Sequence, residues 1–284
     1  LFGFVNFALS MALALLAFAL WLRMARLGHL WLRAAVFVPI SMALWVVHAF
    51  GWGTLGVLAF SAELVRQHDR GRNILVSGLH AAVHCLALTP PFALVILWRS
   101  NSAGVTGDWF NWEAKLEWLR MALRDRWQWF DTVALGLATA LFGWTLVSRR
   151  LTLSRNLAAS TLFLAIVYVL LPRIVFGSAY ADMRLAPYLF IIALVAIRFP
   201  ERPDLRFART LALAGIAFVA IRTGGTTFSM WLYDRSFDRE LAALDHVPHG
   251  ARMVSFVGRP CVEPWAMSRL LHLPGMAIVR NHAF

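Results

Sequence analysis

Apolar stretches long enough to cross a bilayer recur along this chain. FVNFALSMALALLAFALWL occupies 4–22, and further runs follow at about 34–48, 52–66, 74–98, 131–148, 156–172, 185–198 and 207–223. A helical span needs about 17–25 predominantly apolar residues, and the hydrocarbon core offers no water to an unpaired backbone. Only 15% of the 284 residues are charged and 60% are hydrophobic, whereas a soluble domain carries about a quarter charged residues. The expected fold class is an all-α polytopic membrane protein with about eight transmembrane helices.

The run 34–66 is too long for one ordinary span. It divides near His48-Ala-Phe-Gly-Trp-Gly, where glycines permit a turn. Pro90-Pro91 break the run 74–98, and Asp131 is placed to cap the one that follows. With this division, the short arginine-rich loops 23–33, 66–73, 149–155 and 199–206 alternate onto one face. The positive-inside rule makes that face cytoplasmic. The loops 49–52, 99–130 and 173–184, and the tail after 223, then lie on the other face. The net charge of +12 is therefore orienting charge in loops, and no nucleic-acid partner is expected.

Two outer segments carry further structure. In WEAKLEWLRMALRDRWQWF, the residues Trp112, Leu116, Leu119, Leu123, Trp127 and Phe130 recur at helical steps. This predicts an amphipathic helix at about 110–130, lying in the headgroup layer. Glu113, Lys115, Glu117, Arg120, Arg124 and Asp125 lie largely off that stripe. After 223, FSMWLYDRSFDRELAALDHV reads as a helix, ARMVSFVG and MAIVR as strands, and WAMSRLLHL as a helix between them. The domain reading is thus 1–223 transmembrane, with 224–284 the start of a small extracytoplasmic α/β domain. The chain begins at Leu1 and stops just after the second strand, so it reads as a piece of a longer protein.

The candidate chemistry centres on GSAYADMRLAPYL at 177–189. Arg173, Tyr180, Asp182 and Arg184 share one outer loop at a membrane edge. Two guanidiniums can hold a phosphate bidentately, Asp182 can orient one of them, and Tyr180 can donate a hydrogen bond. His48, at the outer turn, completes the candidate substrate-binding set. His80 and His84 share a helix face at i, i+4, and His48 is the third histidine that can approach them. With no HExxH and no Cys/His cluster, no metal and no cofactor are expected. Cys85 and Cys261 read as unpaired thiols. Asn6 and Glu63 read as packing or interface groups.

The opening LFGFVNFALSMALALLAFALWLR, the VVHAFGWGTLGVLAFSAELVR turn, the SAYADMRLAPYL loop and the tail ALDHVPHGARMVSFVG occur in this order. Together they resemble the C-terminal portion of bacterial integral membrane proteins of the GT-C glycosyltransferase type. The resemblance implies a polyprenyl-phosphate-linked sugar donor, membrane lipids as partners, and action on the extracytoplasmic face of the bacterial inner membrane. It also implies an acidic catalytic motif in a first outer loop, expected upstream of Leu1, so no catalytic residue is assigned here. The alternatives are a transporter or flippase of a lipid-linked or anionic substrate, and a non-catalytic membrane assembly subunit.

Overall fold

The computed structural model describes residues 4–97, 104–258, 265–266 and 269–284; Cys261 lies outside them. The chain is predominantly helical. Among the described residues, four helices are long and apolar enough to cross a membrane: α1 (Val5–Arg26), α2 (Leu30–Val47), α7 (Gln128–Val147) and α10 (Leu205–Leu241). The others are α3 (Ala49–His68), α4 (Ile74–Cys85), α5 (Pro91–Leu97), α6 (Trp112–Arg120), α8 (Arg155–Leu170), α9 (Ala181–Val195) and α11 (Met276–Asn281). Two short strands, β1 (Thr152–Leu153) and β2 (Ile197–Arg198), pair antiparallel with Thr152 opposite Arg198.

The chain forms two compact units. The first holds residues 1–119 and 141–200, and the second holds 120–140 and 201–284. In the first unit α3 is the central helix, packed against α1, α2, α4 and α8. α1 is built from Ala and Leu, which lose little on entering a helix. It buries Phe7, Ser10, Met11, Ala14, Ala17, Phe18, Trp21 and Met24 at three- and four-residue steps. Its other side leaves Leu9, Leu16 and Leu20 exposed, as a lipid-facing surface does. Arg23 and Arg26 occupy its last turn, where cations complement the helix dipole.

The long apolar run breaks at His48 alone, which adopts an extended backbone between α2 and α3. Its Nδ1 accepts the Phe50 N–H at 3.1 Å and so caps α3. The Ser10 hydroxyl donates to the His48 carbonyl at 2.8 Å. The glycines expected to form the turn lie instead inside α3, and Gly51 packs against Ser10 of α1. A β-carbon there would lie 2.5 Å from the Ser10 carbonyl oxygen. The second expected break is also present: α4 ends at Cys85, a 3-10 turn covers Leu86–Leu88, and Pro91 starts α5, a position where its missing N–H costs nothing.

Three expectations need correction. Asp131 does not cap α7, which begins three residues earlier at Gln128. Its buried carboxylate instead accepts from Arg222 (2.6 Å), Trp265 Nε1 (2.8 Å) and the Asp125 N–H (2.8 Å). The outer helix expected over 110–130 is shorter: α6 stops at Arg120. Beyond it the Asp125 N–H goes to Asp131, and the Leu123 carbonyl accepts from Arg222 at 3.0 Å. These side-chain bonds compete with the helical ladder.

Finally, the strands expected in the tail are absent among its described residues. α10 runs through residue 223 for 37 residues, about 55 Å at 1.5 Å per residue. The segment 251–258 forms no strand, and MAIVR lies in helix α11. An apolar run this short fits either state, and with no partner strand among the described tail residues the local helical bonds prevail.

Candidate functional site

The loop between α8 and α9 is held by a backbone ladder to the segment 104–108. The Gly107 N–H donates to the Ile174 carbonyl (3.0 Å), the Ile174 N–H donates back (3.2 Å), and the Gly177 N–H reaches the Val105 carbonyl (2.9 Å). Gly104 lies so close to Phe176 that any β-carbon would meet its backbone. Phe176 and Gly177 turn through the left-handed region, and the loop closes where the Ala181 N–H donates to the Arg173 carbonyl at 3.0 Å.

Tyr180 immediately precedes α9 with φ 65° and ψ 36°. A residue with a β-carbon costs about 1–2 kcal/mol in this conformation, and such strain persists only where the surroundings impose it. Here they do: the ring packs edge-on to Trp118 at 5.7 Å and lies 5.1 Å from the Arg173 guanidinium. Arg173 also reaches Asp108 Oδ2 at 3.4 Å. Arg173 and Tyr180 are therefore brought together, with an acid already in attendance.

Asp182 is fully buried in the first turn of α9, where a carboxylate suits the helix dipole. It was expected to orient a guanidinium. Its ion partner is instead Lys115 Nζ at 3.4 Å, and its Oδ1 accepts the Met183 N–H at 2.9 Å.

Arg184 stands apart from both. Its guanidinium lies 4.8 Å from the Phe4 ring and 5.9 Å from the Phe7 ring. Its Nε is buried without a hydrogen-bond partner among the described residues. Phe7 also meets His48 edge-on at 5.4 Å and Tyr188 at 6.0 Å. Arg184 and His48 thus share one aromatic wall, where α1, α3 and α9 all begin. A half-buried guanidinium with no carboxylate partner among the described residues can accept an anion, and the cation–π contacts orient it.

At the opposite end of these helices lies a charge cluster that sequence reasoning did not assemble. Glu63 accepts from Arg33 (3.2 Å), Arg66 and Gln67 (2.5 Å). His84 Nε2 stands 3.6 Å from the same carboxylate. Arg33 stacks on Trp21 at 3.9 Å. Here the available signal was an acid inside the apolar run LGVLAFSAELV, because an intramembrane acid needs a named partner. For Lys115 the signal was rarity: it is the one lysine in a chain whose other basic side chains, histidine aside, are arginine. Among the described residues no three His, Cys, Asp or Glu side chains converge as metal ligands.

Comparison with family models, curated proteins and solved structures gives no match, so the roles of these residues rest on their geometry.

Proposed function

We propose that this chain is a membrane glycosyltransferase-like protein that engages the phosphate of a lipid-linked sugar on the extracytoplasmic face, with Arg184 as the phosphate-contacting cation. The carrying observation is the contrast among arginines. Arg33, Arg66, Arg173 and Arg222 each face a carboxylate, whereas Arg184 has aromatic rings and a buried donor without a partner among the described residues. The sugar part of the reading comes from the GT-C resemblance alone.

In the proposed topology, α3, the α4–α5 pair, α8 and α9 are the remaining four of eight spans. The arginine-rich loops face the cytoplasm and the tail lies outside. Two contacts support placing those loops together. Arg155, at the start of α8, pairs with Asp69 at 2.6 Å, and the β1–β2 pairing joins 152–153 to 197–198. Trp109, Phe110, Trp112 and Leu116 are exposed beside the candidate site. Such side chains suit the headgroup layer, which is where a lipid phosphate sits. Single cysteines in a cysteine-free background check the topology: position 70 is expected to resist an impermeant thiol reagent in intact cells. Its labelling from outside would overturn the alternation.

Polyprenyl-phosphate binding by the purified protein in phosphatidylcholine nanodiscs tests the site. Hydrogen bonds to charged groups contribute about 1.5–3 kcal/mol, so Arg184→Ala should weaken binding by roughly ten- to a hundredfold. Arg184→Lys should recover part of the loss, since it keeps the charge but not the fork. Arg173→Ala should cost less, because Asp108 already neutralises it. Wild-type affinity in a folded Arg184→Ala protein would remove the basis of this reading. Binding without sugar transfer, combined with movement of the lipid between leaflets, would favour the flippase alternative, to which the buried Glu63 cluster lends some support.

A further inference from the structure

We infer that Lys115 is a positioning residue that sets the start of α9, and through it Arg184, in the geometry the phosphate site requires; this rests on the reading just proposed. The Lys115 ammonium is buried, with an exposure of 2%. It donates to the Tyr168 carbonyl (2.8 Å), the Leu171 carbonyl (2.7 Å) and Asp182 Oδ2 (3.4 Å). The two carbonyls belong to the C-terminal end of α8, and the carboxylate belongs to the first turn of α9. One cation therefore ties together both flanks of the 173–180 loop. The Tyr168 hydroxyl returns a bond to the Lys115 carbonyl at 2.5 Å, locking α6 onto the same junction.

The electrostatics agree at every contact. A cation at a helix C-terminus and an acid at a helix N-terminus are both favoured by the peptide dipoles. Burying an ion pair is costly unless the remaining donors and lone pairs are also satisfied. Here three acceptors converge on three ammonium protons. That also explains the residue type. An ammonium presents its donors tetrahedrally to acceptors arriving from separate elements, whereas a guanidinium presents a flat fork. In a chain that otherwise uses arginine, lysine stands where the fork does not fit. Arg184 follows Asp182 by two residues, so any shift in the start of α9 moves the guanidinium.

Two variants test this: Lys115→Arg, and the paired Lys115→Met/Asp182→Leu, which removes both charges and so leaves no lone buried ion. Amide exchange over 173–184 is expected to accelerate about tenfold or more in both, with α1–α3 unchanged. Polyprenyl-phosphate affinity in phosphatidylcholine nanodiscs is expected to fall about tenfold. Arg184→Ala, added to either variant, should then cost little more, because residues acting as one unit are not additive. Unchanged loop exchange overturns the inference. So does faster exchange with wild-type affinity, and so do fully additive losses. If Arg184→Ala alone leaves affinity intact, it is the phosphate reading that fails. Lys115 as a positioning residue for that site falls with it, and the exchange data then report only whether it holds the loop.

Discussion

Glu63→Ala is expected to destabilise the protein by about 3–5 kcal/mol, the cost of leaving a buried ion without its partner. Both Glu63 and Arg33 are 1% exposed, so Arg33 has little water to take the place of the lost carboxylate. Two guanidiniums and the Gln67 amide converge on it from α2 and α3, and His84 of α4 stands beside it. Its removal strands positive charge between three helices. Arg33→Ala should cost nearly as much, because it also strips the guanidinium from the Trp21 face. Replacing both, as Arg33→Leu/Glu63→Leu, should recover part of the loss, since an apolar pair of similar volume avoids ion desolvation. Thermal unfolding of the detergent-solubilised protein reads the effect. A Glu63→Ala protein melting with the wild type would show that the cluster contributes no cohesion.

Gly51→Leu is expected to cost about 3 kcal/mol, near the top of the range for overpacking. The new β-carbon would meet the Ser10 hydroxyl and also the Ser10 backbone, with the carbonyl oxygen at 2.5 Å, so rotating the serine side chain alone cannot relieve the clash. Relief requires α1 and α3, which pack on each other, to separate, and both carry small buried residues: Ala14 and Ala17 on α1, Ala59 and Ala62 on α3. Small residues permit this approach, and in membranes close packing replaces the hydrophobic drive. Gly53 is the control. Nothing lies within 4 Å of a β-carbon there, so Gly53→Ala should be neutral or stabilise by up to about 1 kcal/mol through helix propensity. Equal thermal midpoints for Gly51→Leu and Gly53→Ala would show that the helices do not meet at Ser10.

The sequence by itself determined the helical class and the main breaks. Apolar run length and helix propensity are local quantities, and the break near Pro90-Pro91 follows from local backbone chemistry, whereas the first break falls at His48, which Ser10 of α1 helps to hold, and not at the glycines that marked it. It also marked Tyr180, Asp182 and Arg184, because polar groups stand out against an apolar background. It did not reveal which charges meet. Lys115 and Asp182 are 67 positions apart, Asp131 and Arg222 are 91 apart, and Arg33 and Glu63 are 30 apart. No periodicity encodes such pairings, since they depend on which helix faces are turned together. The same limit explains the tail, where MAIVR fits a strand as well as a helix until neighbours decide. Tertiary packing alone assigned Asp182 to a lysine, gave Arg173 an acid, and left Arg184 facing aromatic rings. The physical reason is that buried ions are selected in pairs across space, whereas apolar patterning is written along the chain.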